Sequence, residues 1–142
     1  MITFFIEEID FNLKNKTFYK KWIVETAQRH NLRAGDISII FCSDKYIHEV
    51  NKKFLEHDYP TDIITFNYNT EDKISGDLFI SVETVAANAE LYSPDFSLEL
   101  SRVIIHGILH LIGFDDLTEE EIKIMRAKED EQLEYFSKFF EE

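Results

Sequence analysis

Short β-branched stretches alternate along the chain with longer segments whose apolar residues recur every three or four positions, predicting a mixture of strands and helices. ITFFI at residues 2–6 predicts a strand, and in the following NKTFYKKWIVETAQRHN the residues Phe18, Trp22, Ile23 and Ala27 share a helical spacing. Gly35 is expected to open a turn before Ile37 to Cys42, a continuous apolar run suited to a strand covered on both faces. Ser43 or Asp44 can cap the next helix, which carries Ile47, Val50, Asn51 and Phe54. The pattern then breaks in LEHDYPT, where Pro60 biases Tyr59 toward an extended conformation.

Residues 62–68 (DIITFNY) and 77–82 (DLFISV) predict an antiparallel pair, joined by a loop through Glu71, Asp72, Lys73 and Ser75-Gly76. A helix follows from about Glu83 to Leu91, and Pro94 can initiate another. From about Leu98 to Ile112 the chain is apolar on nearly every side, which marks a central buried helix that Gly113 ends. Thr118 and Glu121 have the spacing of a capping box, opening a final helix with Ile122, Met125, Leu133 and Phe136 toward the core.

Composition narrows this picture. At 142 residues and 44% apolar content, one domain spanning residues 1–142 is expected. No apolar run approaches the roughly 20 residues that span a bilayer, and the N-terminus has neither the basic flank nor the cleavage site of a signal peptide, so a cytoplasmic protein with no membrane attachment is expected. Cys42 is the only cysteine and reads as a buried structural thiol. The formal charge of −13 argues against broad electrostatic attachment to nucleic acid, so a polyanion would have to be met locally. In the last helix the acids alternate with Lys123, Arg126 and Lys128, as on a solvated face.

The candidate chemistry lies in the buried helix. His106 and His110, four apart, stack on one helical face at a spacing that can grip a metal ion. Two imidazoles in so apolar a helix carry a desolvation cost that a metal bond would offset. Gly107, in the helix interior, points to a close approach by another backbone, by packing or by substrate. Gly113 lets the chain reverse so that Asp116, or its neighbour Asp115, swings a carboxylate toward the rings; ligand register favours Asp116. Three protein ligands leave a fourth position open.

The pattern H-x-x-x-H-x-x-G-x-x-D has the ligand spacing of the metzincin proteases, yet Gly107 stands where their general-base Glu follows the first His. A protease would need its base from elsewhere, Asp62 or Glu83, and this is the second reading.

HGILHLIGFDD (residues 106–116) closely resembles the H-G-x-L-H-L-x-G-Y-D-H signature of the YbeY family of bacterial endoribonucleases. Asn51, Phe54, Asp58 and PTDIITF (60–66) resemble that family's N-x-x-Y-R and P-T-D-V-L-S-F, and GDLFIS from Gly76 resembles G-D-I-x-I-S. The resemblance implies an α+β, zincin-like domain, with a small mixed sheet of about four strands packed with helices around the histidine-bearing helix. It also implies one zinc ion per chain, held by His106, His110 and Asp116. The implied activity is single-strand endoribonuclease cleavage in maturation of the 3′ end of 16S rRNA and in ribosome quality control. The implied partners are ribosomal RNA and the small ribosomal subunit or its proteins. A non-catalytic ribosome-assembly factor with a structural metal is the remaining alternative.

Two departures stand out. Asp116 replaces a usual third His, making bound water less acidic and the site more open to manganese. Leu55 replaces a catalytic Arg. Arg102, one turn before His106 on the same face, is the candidate substitute cation unless it forms a surface ion pair with Glu99 or Asp95. His57 is a second catalytic candidate, and Lys52 and Lys53 are candidate RNA-phosphate contacts.

Overall fold

The computed structural model describes residues 1–55, 61–92 and 95–141, and of residues 55, 92 and 139–141 the backbone alone. The β-branched runs form strands where expected: β1 (Ile2–Glu7), β2 (Arg33–Cys42), β3 (Ile63–Asn67) and β4 (Lys73–Ser81). They make a mixed sheet in the order β1-β2-β4-β3, with β1, β2 and β4 parallel and β3 antiparallel to β4 at the edge. Between them run α1 (Lys16–Arg29), α2 (Asp44–Leu55), α3 (Val82–Tyr92), α4 (Phe96–Ile112) and α5 (Glu119–Glu141). The result is the α+β architecture with a four-stranded mixed sheet that the family resemblance implies.

Side chains alternate across the pleat, so each central strand supplies two cores. Ile37, Ile39, Phe41, Leu78 and Ile80 face α1, α4 and α5 in the main core. Cys42, Ile64, Phe66 and Phe79 face the other way, against Tyr46, Ile47 and Val50 of α2. Coverage of both faces explains why β2 reads as an unbroken apolar run.

Several boundaries differ from expectation. Gly35 lies inside β2, at a shift of register between Ala34 and Ile37, so it marks a bulge rather than a turn. Ser75 and Gly76 lie within β4, and the reversal falls earlier, at the bridge between Thr70 and Lys73. The buried face of α1 carries Tyr19 with Trp22 and Ile23, because the Tyr19 hydroxyl finds Ser101 Oγ at 2.8 Å, while Phe18 is exposed. Ile122 is also exposed, since the inward stripe of α5 runs through Met125, Glu129, Gln132, Leu133 and Phe136. Pro94 lies outside the described residues; α4 starts at Phe96, with the Asp95 carboxylate accepting from Ser97 N.

Candidate metal centre

Gly107 sets α4 down on the sheet. A Cβ there would stand 2.8 Å from Ile63 Cδ1 and 3.0 Å from Leu78 Cδ1, so the close approach is helix-to-sheet packing. With that face pressed on β3 and β4, His106 and His110 turn to a cleft at the sheet's edge. The helix stops at Gly113, whose φ of +127° favours a residue without Cβ, and Phe114 N donates back to Leu109 O at 3.0 Å. Thr118 then opens α5: its Oγ1 accepts from Glu121 N at 3.1 Å and its N donates to Glu121 Oε1 at 3.0 Å. Asp116 sits in the short link between these two fixed ends.

The three side chains converge. His106 Nε2 and His110 Nε2 are 3.0 Å apart, and Asp116 Oδ2 lies 3.3 Å from the first and 3.6 Å from the second. Ligand bonds of about 2.0–2.2 Å in a tetrahedral site separate neighbouring donors by about 3.3–3.6 Å, so this triangle fits a first-row divalent ion within a few tenths of an ångström. Two nitrogens and one carboxylate oxygen are also a donor set that zinc accepts. Among the described residues no fourth His, Cys, Asp or Glu joins the group.

Around the donors lies a cleft of about 470 Å³, walled by Asn51 of α2, Asp62 and the edge residues Thr65 and Asn67. A second groove of about 700 Å³ shares Asp62, His106 and Asp116 with it and extends between α4 and α5 past Arg102, Lys123 and Arg126.

Glu129, on the buried stripe of α5 and 4% exposed, accepts from His106 Nδ1 at 2.7 Å and from Arg102 at 2.9 Å. Burial opposes charge on His106, but Glu129, and more weakly Asp116 and Asp62, outweigh it and raise the ring above the ordinary histidine range. Burial likewise opposes the Glu129 carboxylate, which His106 and Arg102 nonetheless hold below the usual range.

The candidates named from sequence are placed unevenly. His106, His110 and Asp116 come together, and Asp115 is exposed beside them. Arg102 reaches the groove wall, but its ion pairs are with Glu129 and, at 2.8 Å, Asp130 instead of Glu99 or Asp95. Asp62 stands in the cleft, whereas Glu83 accepts from Asp44 N at the start of α2. Lys52 and Lys53 are exposed on α2 next to Asn51, and His57 lies outside the described residues. Glu129 was missed. The signal for it was its place among Met125, Leu133 and Phe136, an acid on an otherwise apolar face.

Fold and site together define an α+β protein with an open His-His-Asp centre able to hold a metal ion, set beside the free edge of a small mixed sheet. The family model described as endoribonuclease YbeY matches residues 2–137. This chain belongs to the endoribonuclease YbeY family. Relatives named endoribonuclease YbeY include one from Parabacteroides distasonis, 48% identical over 93% of both chains. Another, from Phocaeicola vulgatus, is 53% identical over 82% of this chain and 84% of its own. The solution structure of a Thermotoga maritima protein, 28% identical, superposes with a TM-score of 0.71 over 99% of this chain and 92% of that one. No described helix is long and apolar enough to cross a membrane.

Proposed function

We propose that this protein is a metal-dependent, single-strand endoribonuclease of the cytoplasm that trims ribosomal RNA at the 3′ end of 16S rRNA and serves ribosome quality control. On this reading its partners are ribosomal RNA and the small ribosomal subunit or its associated proteins. The observation that carries it is the convergence of the His106, His110 and Asp116 donor atoms, 3.0–3.6 Å apart, on an open cleft in a chain of this family.

His106, His110 and Asp116 would hold one zinc ion. When bound, such an ion supplies Lewis acidity, making an attacking oxygen more acidic and offsetting charge on a phosphodiester. The protein's own side chains divide the remaining work. Asp62, on the cleft wall, accepts a proton from the attacking oxygen. Asn51, Thr65 and Asn67 offer polar contacts that orient the strand across the cleft. Arg102 is the cation proposed in place of the missing one at Leu55; to touch a phosphate its guanidinium must leave Glu129 or Asp130. Lys52 and Lys53 are proposed as contacts to flanking phosphates, and His57 as a second catalytic candidate.

Metal content and RNA cleavage measured together on wild type and His110→Ala test the reading. Wild type is expected to carry about one equivalent of zinc and to cut single-stranded RNA. Because Lewis-acid stabilisation is worth several kcal/mol, His110→Ala should lose on the order of 100-fold or more in rate. Metal-free wild type that cuts RNA at full rate would overturn it. Casein cleaved by the same preparation, with RNA left intact, would favour the protease reading.

A further inference from the structure

His106 and His110 offer equivalent Nε2 atoms to the same point, but their other ring nitrogens meet different surroundings. His106 Nδ1 lies 2.7 Å from Glu129 Oε2, inside the contact between α4 and α5. Among the described residues His110 has no such carboxylate. Glu129 is itself fixed: its Oε1 receives Arg102 at 2.9 Å and, more loosely, Arg126 at 3.5 Å. Arg102 is braced in turn by Asp130. The line Asp130–Arg102–Glu129–His106 thus runs from the exposed face of α5 to the donor triangle.

An imidazole carries one proton when neutral, and its hydrogen bond decides which nitrogen holds it. An ionised carboxylate can only accept, so Glu129 requires the proton on Nδ1 and leaves the Nε2 lone pair directed at His110 and Asp116. A carboxylate left buried without its partners is strongly destabilising, so its place on the inward stripe of α5 calls for a specific task.

We propose that Glu129 is a positioning residue for the metal centre, fixing the tautomer and orientation of His106, and that Arg102 acts on the site chiefly by holding Glu129. This rests on the reading that the three donors bind a metal ion. It assigns Arg102 a contribution at the ligand, distinct from direct contact with a phosphate.

The test uses the full chain, with zinc alone as probe, and reads no catalytic rate. Zinc affinity is measured by competition with a chromophoric chelator for wild type, Glu129→Ala, Glu129→Gln, Arg102→Ala and the double variant Glu129→Ala with Arg102→Ala. Ring-nitrogen NMR of the metal-free proteins, recorded at alkaline pH where the ring is neutral, reports which His106 nitrogen is protonated. Removing a partner behind a histidine ligand typically weakens metal affinity about 10–100-fold, and that is expected for Glu129→Ala, with the Nδ1–H form no longer dominant. Glu129→Gln keeps an acceptor without charge, so it should retain the tautomer and lie between the two in affinity. Arg102→Ala should weaken zinc binding in wild type but add little on the Glu129→Ala background. Circular dichroism separates these effects from unfolding, and if Glu129→Ala does not fold, Glu129→Gln and Arg102→Ala decide. Wild type that binds no zinc would end the metal reading itself. Wild type that binds zinc while folded Glu129→Ala binds within twofold, with His106 unchanged, would overturn the positioning role alone. Folded Arg102→Ala with wild-type zinc affinity and an unchanged His106 tautomer would overturn the part assigned to Arg102.

Discussion

Cys42 and Glu129 are both buried, with opposite consequences. Burial first, and then the charges of Asp44, Glu7 and Glu8, push the Cys42 thiol up to about 12, and it donates to Ile80 O. A thiol so far above neutrality has almost no thiolate, so native protein at pH 8 should fail to react with Ellman's reagent while denatured protein reacts fully. Rapid reaction of the native form would show the α2 side of the sheet to be open. Glu129, by contrast, stays charged because His106 Nδ1 and the Arg102 guanidinium hydrogen-bond to it. The sequence showed the donors more plainly than their support. His106, His110 and Asp116 are close in the chain, and helix periodicity plus one glycine brings them together. Glu129 approaches from a different helix, and which of Asp95, Glu99, Glu129 or Asp130 would meet Arg102 depended on how α5 docks. No local spacing encodes that.

Among the elements, the link from α4 to α5 matters most to the site. Its two ends are set by Gly113 and by the reciprocal bonds of Thr118 and Glu121, and Asp116 hangs between them. Losing a capping hydroxyl costs about 1 kcal/mol, so Thr118→Ala should lower the thermal midpoint by a few degrees and loosen Asp116. Scanning calorimetry with and without zinc checks both: the variant should gain less from zinc than wild type does. Both the helix stop and the capping box were legible, because each is written in residues a turn apart. The start of β2 and the turn before β4 were not. Gly35 and Gly76 look like turn residues, and only pairing between β2 and β4, distant in sequence, makes them strand residues.

For the whole molecule, a charge of −13 limits how RNA can be held. The groove beside the donors presents the cations Arg102, Lys123 and Arg126. If Lys123 and Arg126 there, together with Lys52 and Lys53 on α2, supply the phosphate contacts, at about 0.7 per contact on a single strand, the logarithm of RNA affinity should fall with the logarithm of salt at a slope near −3. A slope several times steeper, by fluorescence anisotropy, would place binding on a wider surface.

The first and last helices also meet. Trp22 Nε1 of α1 donates to Gln132 O at 2.9 Å, and Thr26 and Arg29 reach the Gln132 side chain at 3.2 and 2.8 Å. That knot lies less than one turn along α5 from Glu129. Separation of α1 from α5 is therefore expected to loosen the carboxylate that steadies His106. How fast a chelator strips the ion then becomes a gauge of whether the first and last helices are still clasped.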